Sequence, residues 1–150
     1  MIAISGIPGT GKTTLCMELS RLGYTCLSLG DFLAKRITQP DGEVDVSDFE
    51  SLEFDYDFVE SHMSHVISGS DAVIILSCRE ETVKSRLEER GYDLSKINEN
   101  LDAQRSEIIY SEAMERLPAN RILVIDCSSR SIEDIAAMAI EFRKVITAGR

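Results

Sequence analysis

The stretch Gly6-Ile7-Pro8-Gly9-Thr10-Gly11-Lys12-Thr13 matches G-x-x-x-x-G-K-T at every fixed position, and its flanks change period across it. Met1-Ile2-Ala3-Ile4-Ser5 is short, apolar and partly β-branched, as a buried strand is, whereas Thr14 to Leu22 carries helical periodicity. A strand, a glycine-rich loop and a helix in this order leave few folds open, because the loop cradles phosphate only when its amides and the helix N-terminus face the same anion. Glycines at 6, 9 and 11 let backbone N–H groups turn inward, and Pro8 stiffens the turn. Gly9, Thr10 and Gly11 then form the cradle, Lys12 reaches the β- and γ-phosphates, the Thr13 hydroxyl ligates Mg²⁺, and Thr14 meets an α-phosphate oxygen.

The rest of the chain alternates strand and helix patterns without repeats. Strands are expected at Thr25 to Leu29, Tyr56 to Glu60, Ala72 to Leu76 and Arg121 to Ile125. Helices are expected over Phe32 to Ile37, from near His62, over Glu81 to Arg90, over Ile97 to Leu117, and after Ser131 with Ile132, Ile135, Ala136, Ala139, Ile140 and Ile146 facing inward. The fold class is α/β, a P-loop NTPase with a five-stranded parallel sheet and helices on both faces, since crossovers between parallel strands are right-handed and cover the sheet. At 150 residues the chain suits one domain, 1–150.

No apolar stretch is long enough to span a bilayer, and Met1 runs straight into the first strand, so a cytoplasmic location without membrane attachment is expected. A net charge of −10 opposes binding to free nucleic acid, whose phosphates demand cations. Cys16, Cys26, Cys78 and Cys127 show no C-x-x-C spacing and read as small buried hydrophobes, neither metal-bound nor disulfide-bonded.

A bound triphosphate can be hydrolysed, can drive a switch, or can donate its γ-phosphate, and the loop alone does not choose. Arg86 and Arg90, four apart, share a helix face and can clamp the charge of a transferring phosphoryl group; the competing reading is a solvated helix paired through Lys84, Glu88 and Glu89. Glu60 closes the third strand, where a carboxylate can hold a metal-bound water, with Asp55 and Asp57 as rivals. His62 either orients a water or phosphate or lies at the surface, and His65 reads as structural. Asp31 after Gly30 caps a helix or faces an acceptor; Lys35 and Arg36 grip its phosphate or stay exposed. Ser129 and Arg130, past the last strand, can border a base, although a Ser131 helix cap explains the same stretch.

Taken together, the phosphate loop, Gly30-Asp31, Glu60-Ser61-His62, Arg86-Leu87-Glu88-Glu89-Arg90-Gly91-Tyr92, Lys96-Ile97-Asn98-Glu99-Asn100 and Glu112-Ala113 resemble the small atypical adenylate kinases. That family includes the human coilin-interacting nuclear ATPase and its yeast and archaeal relatives in ribosome biogenesis. The resemblance implies transfer of the γ-phosphate of ATP to AMP or a related monophosphate, with Mg²⁺ and some ATPase activity. It implies a short monophosphate-binding lobe at about 30–53 carrying Gly30, Asp31, Lys35 and Arg36, and a short lid at about 90–100 whose Arg90 touches ATP. It also implies transient binding to a basic small-subunit ribosomal protein. The family's Asp-x-His appears here as Glu60-x-His62, and Ser77 stands where an arginine is usual.

Overall fold

The computed structural model describes residues 1–29 and 55–149. The expected short helix at Phe32 to Ile37 and the expected monophosphate lobe lie outside these residues. Five strands, β1 (Ile2–Ser5), β2 (Cys26–Ser28), β3 (Phe58–Glu60), β4 (Ala72–Ser77) and β5 (Ile122–Asp126), form one parallel sheet in the order β2-β3-β1-β4-β5. The phosphate loop therefore leaves the central strand. Continuous apolar runs suit strands covered on both faces, and β4 is buried along Ala72 to Leu76.

Helix α1 (Lys12–Arg21) and the last helix, α5 (Ile132–Ala148), cover one face. There Leu15, Leu19, Ile135, Ala136, Ala139 and Ile146 close over Ile2, Ile4, Ile74 and Leu76. The Ser131 hydroxyl caps α5 by accepting from the Asp134 amide at 3.1 Å. Between β4 and β5 run α2 (Glu80–Glu89), α3 (Leu94–Arg105) and α4 (Ile108–Met114). Val83, Leu87, Ile97 and Leu101 of α2 and α3 pack on Ile7 and Cys78, while Ala113 of α4 sits on Ala3, Val73, Ile75 and Ile122.

The structure differs from the sequence expectations at four places. The helix expected over Ile97 to Leu117 is two helices, because Glu107 adopts a left-handed conformation (φ 54°) that no glycine or proline signals. A helix near His62 is replaced by a single 3₁₀ turn, Ser64–Val66, where serine hydroxyls capture nearby backbone: Ser61 Oγ accepts from the Met63 amide at 2.9 Å and Ser64 Oγ donates to the Ile4 carbonyl at 2.6 Å. Strand β3 starts at Phe58 rather than Tyr56, since Asp57 and Thr25 exchange side-chain-to-backbone bonds of 2.8 and 2.9 Å just before the ladder. Finally, Cys16 and Cys26 are joined in a disulfide, overturning the expectation of four free thiols. A turn through Gly23 (φ 97°) folds β2 back along α1 and sets the two Cα atoms 5.5 Å apart, a span a disulfide bridges. Cys78 and Cys127 are free. No helix among the described residues is long and apolar enough to cross a membrane.

Candidate active site

The loop from Gly6 to Gly11 rises from β1 and feeds directly into α1. A Cβ at Gly6 would stand 2.7 Å from the Leu76 carbonyl oxygen, so only glycine lets the loop cross the end of β4. Gly11, left-handed at φ 96°, turns the chain into the first helical residue, Lys12. Thr10 is buried and donates its hydroxyl to the Ile7 carbonyl at 2.9 Å, closing the loop on itself. Lys12 Nζ donates to the same carbonyl at 2.8 Å. Burial lowers the Lys12 pKa to about 8; the Glu60 carboxylate opposes that shift and the Arg90 charge adds to it.

Across the loop, β3 ends at Glu60, which pairs in register with Ile4 of β1 and Ser28 of β2. The Glu60 carboxylate is 4% exposed, accepts from Thr13 Oγ1 at 3.2 Å and from the Ser28 hydroxyl, and lies within electrostatic reach of Lys12. This separates it from its rivals. Asp57, at the opposite end of β3, is held by the Thr25 amide at 2.9 Å and by Arg143 at 2.7 Å, and Asp55 precedes it on the surface. Ser28, the hydroxyl that orients Glu60, was not among the sequence candidates; its signal is the parallel register, which no local motif displays.

Arg86 Nη1 donates to the Gly9 carbonyl at 2.8 Å, tying α2 to the loop. Arg86, Arg90 and Arg130 line a hollow of about 300 Å³ together with Thr10, Gly11 and Thr14. Three guanidinium groups thus border the mouth of the phosphate loop. Thr13 and Thr14 are exposed there, on the first turn of α1. Beyond Arg90, Gly91 (φ 82°) turns the chain, Lys96 lies 5.2 Å from the Tyr92 ring centroid, and Asp93 caps α3 by accepting from the Lys96 amide at 2.8 Å. Most of the segment expected as a lid is therefore the first turns of a helix.

Ser129 and Arg130 are parted. Arg130, whose Nε donates to the Asp126 carbonyl at 3.1 Å, faces the hollow by the loop, while Ser129 borders a larger cavity of about 510 Å³ on the other side of the β5–α5 connection. In that cavity Gln104 clasps the end of β4, donating to the Cys78 carbonyl at 2.9 Å and accepting from its amide at 3.2 Å; no sequence pattern marks this pairing. His62 lies on the surface after Glu60. Its pKa is lowered, first by surrounding protein and then by Lys12 and His65, against the pull of Glu60, a direction that favours the uncharged ring. Gly30, Asp31, Lys35 and Arg36 fall outside the described residues.

The donors present suit Mg²⁺, a hard cation that takes one or two protein oxygens and completes its shell with water and substrate phosphates. Thr13 supplies a hydroxyl on the exposed side and Glu60 a buried carboxylate behind it. Among the described residues there is no cluster of three or more histidine, cysteine or carboxylate side chains that would make a protein-only metal cage.

A family model described as an AAA domain matches residues 2–107. A protein of Thermoplasma acidophilum named "Putative adenylate kinase" is 49% identical over 129 residues, covering 83% of this chain and 86% of its own. A protein of the same name from Archaeoglobus fulgidus is 35% identical, with 90% and 77% covered. Among solved structures, a gluconokinase from Sinorhizobium meliloti superposes with a TM-score of 0.53 at 16% identity, covering 99% of this chain and 93% of that one. An uncharacterized protein from Eubacterium ventriosum does so with a TM-score of 0.57 at 14% identity, covering 96% and 97%. These two likenesses establish the fold alone.

Proposed function

Because the chain belongs to the adenylate kinase-like family of P-loop proteins, we propose that it transfers the γ-phosphate of ATP to AMP or a related nucleoside monophosphate. The observation that carries this reading is the gathering of Arg86, Arg90 and Arg130 around the hollow beside the phosphate loop, with Glu60 bonded to Thr13 and Lys12 within electrostatic reach of both Glu60 and Arg90. Phosphoryl transfer asks little covalent chemistry of a protein. It asks that the triphosphate be held and that the charge spread over the moving group be met by fixed cations.

In this scheme the amides from Gly9 to Thr14 and the start of α1 hold the β-phosphate, and Lys12 bridges toward the γ-phosphate. Arg90 meets the charge that develops during transfer, and Arg86, anchored on the Gly9 carbonyl, holds the loop in place beneath it. Mg²⁺, when bound, neutralises phosphate oxygens; Thr13 would ligate it and Glu60 would hold one of its waters. Arg130 borders the nucleoside side of the donor, with Ser129 across the connection. The acceptor binds over residues 30–53 through Gly30, Asp31, Lys35 and Arg36, and the segment at about 90–100 acts as a short lid.

An associated ATPase activity is favoured by one feature: His62, within electrostatic reach of Glu60 and Lys12, is an imidazole placed where it could accept a proton from water. The net charge of −10 suits a basic partner, and a small-subunit ribosomal protein would be one, giving a role in small-subunit maturation. A coupled assay of ADP formation from ATP with AMP, CMP, UMP and GMP, each against an acceptor-free control, tests the main reading. Faster turnover with one monophosphate is expected. Equal rates with and without every acceptor would leave only the ATPase.

A further inference from the structure

Ser5, the last residue of β1, is fully buried, as is His65 in the 3₁₀ turn, yet neither belongs to the apolar core around them. Ser5 Oγ lies 2.9 Å from His65 Nδ1, and His65 Nε2 lies 2.8 Å from Glu112 Oε2 on α4. We propose that Ser5, His65 and Glu112 form a positioning relay that sets the root of the phosphate loop against the Glu60–His62 segment, and that Glu112 is its adjustable end. The proposal rests on the phosphotransfer reading above for its kinetic effect.

The proton positions follow from the donors and acceptors. A carboxylate only accepts, so Nε2–H donates to Glu112; burial favours the neutral ring, which then accepts at Nδ1, and the Ser5 hydroxyl donates. The single Ser5 proton is thereby shared between His65 Nδ1 and, at the longer distance of 3.3 Å, the His62 carbonyl. Ser5 immediately precedes Gly6, and the His62 carbonyl is two residues beyond Glu60. The relay thus meets both halves of the candidate site at their roots, where a small displacement is carried outward along the loop.

The segment just beyond α4 holds the turn by a second, separate grip. Arg116 donates to the His65 carbonyl at 2.8 Å, to the Ile67 carbonyl at 2.5 Å and to Ser70 Oγ at 3.3 Å, fixing main chain rather than the imidazole. The turn is also tied to β1 by Ser64 and by the Ser61 amide, which donates to the Ile4 carbonyl at 3.1 Å. With the backbone secured in this way, Glu112 is not needed to keep the turn folded. An apolar pair of equal volume would fill the space without a desolvation cost, so what the polar chain contributes is direction. Glu112 keeps 38% of its side chain exposed, and α4 begins at the left-handed Glu107, so its distance from His65 depends on how α3 and α4 are set.

The test compares Ser5→Ala, Glu112→Ala and Glu112→Gln with Ser70→Ala, which removes a buried hydroxyl from the second grip alone. Misplacement of reacting groups lowers kcat more than it raises KM, so Ser5→Ala and Glu112→Ala are expected to lose about tenfold in kcat with KM for ATP within about twofold. Glu112→Gln keeps an acceptor for Nε2–H and is expected to restore kcat to within about threefold of the parent. Amide resonances of Gly6 to Lys12 should move in Glu112→Ala, return in Glu112→Gln, and stay in place in Ser70→Ala. Thermal destabilisation with unchanged kcat and unmoved loop resonances overturns the relay, as does an equal kcat loss in Ser70→Ala. If the parent protein transfers no phosphate, the functional reading fails, and the resonances alone decide for or against the relay.

Discussion

Reducing the Cys16–Cys26 bond removes a crosslink between α1, the helix that starts at the phosphate loop, and β2, the strand that supplies Ser28. The residues are ten apart in sequence. In the chain-entropy account, closing a loop of that length costs the unfolded state about 9 cal/mol/K, or about 2.7 kcal/mol at 25 °C. For a chain of this size that corresponds to a melting temperature lower by about 5–11 °C. Reduction of the unmodified protein is the cleanest perturbation, since it alters no side-chain volume, whereas serine at position 16 would add a hydroxyl where the cysteine is 5% exposed. Urea titrations with and without a strong reductant should give a lower midpoint in the reduced form, accompanied by only a modest change in slope. Thiol titration of the unfolded, unreduced chain should find Cys78 and Cys127 alone. Four reactive thiols, or a midpoint that does not move on reduction, would refute the reasoning.

Other perturbations address the site directly. Arg90→Ala is expected to lower kcat by about 10³, as loss of a transition-state arginine does, with little change in melting temperature because Arg90 is exposed. Glu60→Gln should raise the Mg²⁺ concentration needed for half-maximal activity by about tenfold or more, as loss of an outer-shell partner does; an unchanged Mg²⁺ requirement would remove Glu60 from that role. Lys12 gives a pH signature: with a folded pKa of about 8, it is cationic below that value and neutral above it, so ATP affinity should fall as pH rises through about 8. Calorimetry in buffers of different ionisation heat should detect proton uptake on ATP binding there. For folding the sign is reversed, because a depressed lysine pKa makes the buried charge a cost at neutral pH that disappears between about 8 and 10.5.

What was legible in the sequence is what short-range patterns encode. Glycines 6, 9 and 11 and the apolar run at 72–76 fix a loop at the end of a central parallel strand, because each signal lies within one element. What escaped depends on register and on contacts across the chain. Glu60, Asp57 and Asp55 are interchangeable as letters. Only the pairing of β3 with β1 and β2 sends Glu60 to the loop and Asp57 to Thr25 and Arg143. The disulfide joins cysteines in different elements, with no spacing that announces it. The break between α3 and α4 falls on a glutamate in a conformation normally given to glycine, and the Ser5–His65–Glu112 contacts join residues from three parts of the sequence.

The strand order has a mechanical outcome. β1 is laddered on both sides, to β3 and to β4, whereas β2 and β5 are each laddered on one side only within the described sheet. Fraying begins where a strand has one neighbour, so an outer strand can loosen while the middle of the sheet stays shut. The strand from which the glycine-rich loop rises is thus the one held from both flanks, while loosening starts at the outer two.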